Sequence, residues 1–165
     1  SFDISRAQGK TNLLVAGGIG IASFYLLARN LIEKGEEVHL IYGGRSAEDL
    51  VGLDDFRRLH LPIVITTENG DLGTKGLVTD GLKPYLEEFP TDRLVIYTCG
   101  PNPMMQVVSG LANSLEIPCQ ISIEARMACG FGVCLGCSIK TTHSYQLACR
   151  EGPVFEASEF VWEEK

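Results

Sequence analysis

The 165-residue sequence has no apolar run approaching the roughly 18–20 residues that cross a bilayer, so no membrane partner is expected. Nothing near its start reads as an export signal, because Lys10 is followed by a short apolar run and then by glycines. Basic residues are few: 14 Lys and Arg stand against 21 Asp and Glu, for a net charge of −7. Binding a phosphate backbone needs a basic face, which argues against nucleic acid as a partner. Long blocks of like charge, internal repeats and low-complexity stretches are missing too. The ending Trp162-Glu163-Glu164-Lys165 reads as a solvated end. Histidine is scarce. His39 falls in a strand pattern, His60 and His143 in loop-like contexts, and none is spaced with another ligand, so each reads as structural or solvated. These absences suit a cytoplasmic protein.

What is present is material for a core and a knot of cysteines. Apolar residues make up 45% of the chain, enough for one real core. Up to residue 123, short apolar strands alternate with longer amphipathic segments. Strands are expected at Asn12–Ala16, Val38–Tyr42, Pro62–Thr66, Arg93–Thr98 and Gln120–Ile123. Helices are expected over Ile21–Lys34, Leu53–Leu59, Val78–Glu88 with Pro84 as a kink site, and Asn102–Leu115 capped by Asn102. Gly43-Gly44 should stop the second strand, and Glu68–Gly73 should form a loop. The repeated strand–helix–strand order predicts an α/β fold over residues 1–124, a five-stranded parallel sheet with helices on both faces. After Glu124 the texture changes, and short strands are expected at Ser138–Thr142 and Tyr145–Ala148. Residues 125–165 are too few to bury a core of their own, so this small domain needs a staple or a neighbour.

Four of the six cysteines lie close together in the pattern Cys129-x4-Cys134-x2-Cys137-x11-Cys149. This is the plant-type ferredoxin spacing for a [2Fe–2S] cluster. Two bridged irons need four converging thiolates, three from a tight loop and one from a more distant strand. Gly130, Gly132 and Gly136 let the loop wrap closely and turn its N–H groups toward the sulfurs. Two alternatives stay open. A four-cysteine zinc site usually combines two C-x2–4-C units, of which only Cys134/Cys137 is present. Disulfides would suit an oxidising compartment. Cys119 reads as an ordinary buried thiol in or beside a strand.

Gly18-x-Gly20-x-x-Ser23 falls between a strand and a helix, where a helix N-terminus can receive a pyrophosphate. Its last position is Ser, and after the second strand no acid appears until Glu48. The alternative is a flavodoxin-like scaffold with a structural glycine turn. Cys99-Gly100-Pro101 ends a strand on the side where open α/β sheets bind ligands, the alternative being a simple loop thiol. Phe24 and Tyr25 read as packing residues.

Taken in order, Gly17-Gly18-Ile19-Gly20, Tyr42-Gly43-Gly44-Arg45-Ser46, Cys99-Gly100-Pro101-Asn102-Pro103-Met104, Glu124-Ala125-Arg126-Met127-Ala128-Cys129-Gly130, Cys134-Leu135-Gly136-Cys137 and Cys149-Arg150-Glu151-Gly152-Pro153-Val154-Phe155 carry a resemblance. Over essentially its whole length the chain resembles the electron-transfer subunits of NAD-dependent dihydroorotate dehydrogenases, in the ferredoxin–NADP reductase superfamily. The resemblance implies that NADH reduces FAD, that electrons pass singly through the cluster, and that the FMN of a partner catalytic subunit exchanges them, in pyrimidine (UMP) biosynthesis. A hydride carries two electrons and the cluster takes one, so a flavin has to split the pair. It also implies that Gly17, Gly18, Gly20, Gly43, Arg45, Gly100, Pro101 and Met104 meet the dinucleotide and that Cys99 lies near nicotinamide and flavin. Glu68, within Thr67-Glu68-Asn69, would meet the adenosine ribose, where an acid favours NAD over NADP. No catalytic residue is expected on this chain.

There are departures. Relatives commonly have Gly where Ala16 stands and Pro at the places of Ala22 and Ser23. They also begin with a flavin-binding barrel of about 100 residues, and Phe2-Asp3-Ile4 resembles the end of the linker leaving it. The chain starts with Ser, so a processed chain or fragment is expected, with FAD on a flavin domain supplied in cis or in trans. Such a chain should not oxidise NADH efficiently alone. Two other readings remain: a related reductase serving another acceptor, and a ferredoxin-like binding module on a non-functional nucleotide scaffold.

Overall fold

The computed structural model describes residues 1–162; Glu163, Glu164 and Lys165 of the expected solvated end lie outside the described residues. Trp162 is only partly exposed. It packs against the core, 4.5 Å from the ring of Phe160.

In chain order the elements are β1 (Thr11–Gly17), a 3-10 stretch over Gly18–Phe24, α1 (Tyr25–Glu33), β2 (Glu37–Gly44), α2 (Leu53–Arg57), β3 (Ile63–Thr67), β4 (Thr74–Lys75), α3 (Val78–Glu88), β5 (Leu94–Cys99), α4 (Asn102–Ser114) and β6 (Cys119–Ser122). The last part adds β7 (Ser138–Lys140), β8 (Tyr145–Leu147) and β9 (Val154–Glu156). The five expected strands form a parallel sheet, and two short ones widen it to the order β4-β3-β2-β1-β5-β6-β9. β9 runs antiparallel to β6, so the C-terminal part finishes the sheet begun by the N-terminal part.

Side-chain alternation assigns each strand residue to a face. Leu13 and Val15 of β1 point with Leu94 and Ile96 of β5 toward α3 and α4. Leu14, Ala16, Val95, Tyr97 and Cys99 point the other way, toward α1 and α2. β1 is buried along its whole length because it lies at the centre and both faces are covered. Phe24 packs in the second layer and Tyr25 meets Phe56 edge-on, as packing residues should.

Several local expectations are corrected. The segment expected as one helix from Ile21 begins as 3-10 backbone and becomes α-helical only at Tyr25. Gly43 and Gly44 belong to β2 rather than stopping it. A Cβ on Gly43 would stand 2.7 Å from that of Val78, so only glycine lets α3 come so near. Asn102 is the first residue of α4, not its cap, and Pro101 takes the capping position without a side-chain bond. Pro84 sits inside an unbroken α3.

The small domain borrows its core from the large one. Cys137, Ala148, Phe155 and Ala157 join the cluster built by β1, β5, β6, α3 and α4. Burying Phe155, 7% exposed, contributes about 1.5–3 kcal/mol. The first residues are fastened to this edge too. The Asp3 N–H donates to Gln120 Oε1 at 2.9 Å, and Gln120 Nε2 returns a bond to the Asp3 carbonyl at 3.0 Å.

Candidate functional site: a strand-end cleft beside a cysteine loop

β1 has β2 on one side and β5 on the other, so the connections leave it in opposite directions. Sheets of this kind open a crevice at the carboxyl ends of the strands where the order reverses. A cleft of about 1010 Å³ lies there. Gly17 at the end of β1 and Gly18 after it, Gly43 and Arg45 at β2, Glu68 after β3, and Gly100, Pro101 and Met104 after β5 all line it. Gly18 has φ of 51° and no atom within 4 Å of where a Cβ would stand, so the backbone itself faces open space.

Two of the expected nucleotide residues, Gly20 and Cys99, do not line the cleft. A Cβ on Gly20 would press into the Cys99 carbonyl and stand 2.8 Å from the Gly100 nitrogen. Gly20 is therefore a packing glycine that seats the 3-10 stretch on the end of β5. Cys99 shares the parity of Val95 and Tyr97, which turns it toward α1. Its Sγ lies 3.3 Å from Ser23 Oγ, it is 2% exposed, and burial pushes the thiol up from its ordinary value.

The cleft contains residues to which the sequence assigned no place in it: Glu48, Asp49, Thr79, Val107 and Glu124. Asp49 pairs with Arg45, with Nε to Oδ2 at 3.0 Å and Nη2 to Oδ1 at 3.1 Å. This bonding holds the Asp49 carboxyl below the usual carboxylate range. The nearness of Asp49 to Arg45 in sequence was the available signal. Glu124 reaches the cleft only because β6 ends beside β5, which no local pattern reveals.

The cysteine loop begins five residues after Glu124. Gly130, Leu135 and Gly132 have φ of 75°, 57° and 89°, which fold the loop tightly back on itself. The Cys134 N–H points at Cys129 Sγ at 3.5 Å, and the Gly136 N–H at Cys134 Sγ at 3.5 Å. Cys129 is lowered to about 6, first by the Cys134 N–H and then by the Phe131 N–H, with the Cys134 side chain and Val133 N–H helping. Cys149 is raised, first by its bond with Cys137 and then by desolvation. The shifts couple Cys129 to Cys134 and Cys149 to Cys137. Among the described residues no three His, Cys, Asp or Glu side chains converge on one ion. All six cysteines are free of disulfides. Two thiolates for each of two irons fit this donor set, and the inward N–H groups fit the negative charge of a sulfide-bridged cluster.

Two family models cover most of the chain. Residues 14–110 match the oxidoreductase NAD-binding domain. The chain belongs to that family. Residues 124–161 match the iron–sulfur cluster binding domain of dihydroorotate dehydrogenase B, so both parts of this family member carry a cofactor domain. It is 39% identical over 155 residues to the dihydroorotate dehydrogenase B (NAD(+)) electron transfer subunit homolog of Aquifex aeolicus, covering 93% of this chain and 59% of that one. It is 40% identical over 162 residues to the corresponding subunit of Listeria monocytogenes, covering 96% and 61%. The chain therefore spans about 60% of the length of these relatives. Among solved structures it is similar to a chain of an NADH-dependent reduced ferredoxin–NADP oxidoreductase, with a TM-score of 0.80 and 30% identity, covering 93% of this chain and 55% of that one. No helix among the described residues is long and apolar enough to cross a membrane.

Proposed function

We propose that the chain is the nucleotide- and cluster-binding part of a dihydroorotate dehydrogenase electron-transfer subunit, working in the cytoplasm in pyrimidine synthesis. It would link NAD(H) to the FMN of a catalytic partner, with FAD held by a flavin domain in cis or in trans. The observation that carries this reading is the pairing of a strand-end cleft with a four-cysteine loop a few residues from its rim. The relatives' names support the choice of partner.

Cys129, Cys134, Cys137 and Cys149 would hold the cluster, which when bound supplies one-electron transfer. The N–H groups of Phe131, Val133, Cys134 and Gly136, with that of Gly132 at Cys149, offset negative charge on the sulfurs. Gly18 lets the dinucleotide approach the backbone, while Gly17, Gly43, Gly100, Pro101 and Met104 shape the wall. Arg45 and Glu68 stand at the ribose end. Gly20 and Cys99 act from beneath, by fixing the turn that carries Gly18. Residues 1–124 and 125–165 would serve as the NAD and cluster domains, sharing one core across β6 and β9.

The test mixes the cluster-loaded chain with an FMN-containing dihydroorotate dehydrogenase subunit and adds dihydroorotate without NADH. Bleaching of the visible cluster absorption is expected. No bleaching, while the subunit still turns over with an artificial acceptor, would contradict this partner. The similarity to the ferredoxin–NADP oxidoreductase chain would then favour a second reading, a reductase component with a different acceptor.

A further inference from the structure

One end of the cleft carries one guanidinium and three carboxylates. Arg45 follows β2 directly, Glu48 and Asp49 lie on the 3-10 turn Ala47–Asp49, and Glu68 follows β3. All four line the cleft. Backbone bonds bring them together: the Glu68 N–H donates to the Gly44 carbonyl and the Asn69 N–H to the Arg45 carbonyl, both at 3.1 Å. In dinucleotide-binding sheets the tip of the second strand reads the adenosine ribose. An acid there accepts from the 2′-hydroxyl, and an arginine there accommodates a 2′-phosphate.

Arg45 stands at that tip, but the Nε–Nη2 edge of its guanidinium is committed to Asp49. Besides the fork of Nε and Nη2 onto the two Asp49 oxygens, the Arg45 backbone N–H donates to Asp49 Oδ2 at 3.1 Å. Asp49 is itself held in place, since its carbonyl oxygen lies 3.3 Å from the hydroxyl of the buried Tyr42. The arginine side chain is 81% exposed and the aspartate 28%, so the aspartate is the fixed partner and the arginine the one drawn to it.

We infer that Asp49 is a specificity-determining residue of the dinucleotide site: by engaging the Arg45 guanidinium it withholds that cation from a 2′-phosphate and selects a nucleotide with a free 2′-hydroxyl. This inference rests on the reading of the cleft as an NAD(H) site. A 2′-phosphate seeking the same edge would have to break a bidentate pair, and one meeting the remaining N–H groups would find the arginine's charge already offset by Asp49, with Glu48 and Glu68 lining the same end. A ribose hydroxyl is a donor and bonds a carboxylate without disturbing the fork. Glu68 alone would not suffice, because an unengaged Arg45 beside it would supply the compensating charge.

The test uses fragments that lack nicotinamide, so no flavin is needed. Binding of ADP-ribose and of 2′-phospho-ADP-ribose to the purified chain is measured by calorimetry. The unaltered chain should favour ADP-ribose by at least about tenfold, and Asp49→Ala should narrow that ratio by about tenfold through tighter binding of the phosphorylated ligand. The double variant Asp49→Ala/Arg45→Gln should restore the preference. Asp49→Asn serves the same purpose should the alanine variant not fold. An unchanged ratio with ADP-ribose still bound overturns the inference alone. A ratio that stays narrow in the double variant also overturns it, since loss of charge would then account for the effect. No saturable binding of either ligand to the unaltered chain overturns the cleft reading itself.

Discussion

The hydroxyl of Tyr42 lies 3.0 Å from the carbonyl oxygen of Gly18. The same hydroxyl is 3.0 Å from the Val51 carbonyl and 3.3 Å from that of Asp49. One buried side chain of β2 thus tethers both the glycine turn after β1 and the loop that carries Asp49. Its single proton is shared among three acceptors, and burial pushes its ionisation up to about 12, so it stays a donor at any physiological pH.

Replacing Tyr42 with Phe leaves those carbonyls without their donor and frees both cleft walls. A buried polar group left unsatisfied costs about 1–3 kcal/mol, part of which should appear as several-fold weaker ADP-ribose binding. The visible spectrum of the cluster should not change. Calorimetry and an absorption spectrum on the same sample check this, and an unaltered affinity would count against the tether.

Gly18 and Gly20 should respond differently to alanine. At Gly18 there is room for a Cβ but φ is 51°, so Gly18→Ala should cost about 1 kcal/mol of backbone strain. At Gly20 a Cβ collides with the backbone of Cys99 and Gly100, which cannot yield without moving β5. Gly20→Ala should therefore cost more than about 3 kcal/mol or prevent folding. Chemical denaturation of both variants compares them, and equal losses would contradict the packing role of Gly20.

Glu37 at the foot of β2 is held below the usual carboxylate range, first by the Thr11 hydroxyl and then by His39. A carboxyl lowered on folding adds stability above its unfolded value near 4.5, and that gain is lost as pH falls through its folded value. Thr11→Val should lower stability at pH 7 by about 0.5–1 kcal/mol, discounted because the Glu37 side chain is 55% exposed. Thermal unfolding near pH 3 should show the difference shrinking. A difference that stays constant with pH would contradict the linkage.

Removing the cluster should loosen the cysteine loop without releasing β9. The loop is held by ligation and a few bonds between its own N–H groups and sulfurs, whereas Phe155 and Ala157 are fixed in the main core. After chelation, hydrogen exchange should speed up over residues 127–137 while β9 amides stay protected. Equal loss of protection in both would show that the small domain depends on the metal as a whole.

Much of this was legible in the sequence, and the gaps have physical reasons. Five apolar runs marked five parallel strands because buried parallel strands are apolar on both faces. β4 escaped because its two residues, Thr74 and Lys75, are both exposed. β9 escaped because Val154–Glu156 becomes a strand only against β6. The cysteine spacing was informative because ligation chemistry restricts it closely. The cleft was harder to read. The close packing of Gly20 on the Cys99–Gly100 backbone was not visible in a glycine motif, and the packing of Cys99 in the layer of α1 follows from strand parity, a signal that was present but unused. Asp49 could have been found from its place four residues after Arg45, whereas Glu124 enters the cleft only because β6 ends beside β5.

The central claim is that four thiolates hold a sulfide-bridged pair of irons. Iron, zinc and acid-labile sulfide analysis on the anaerobically purified chain, alongside Cys134→Ser, tests it most directly. The account predicts iron and sulfide in equal amounts with a red-brown visible spectrum, and loss of both colour and sulfide in the variant. Stoichiometric zinc without sulfide, or an intact spectrum after Cys134→Ser, would contradict it.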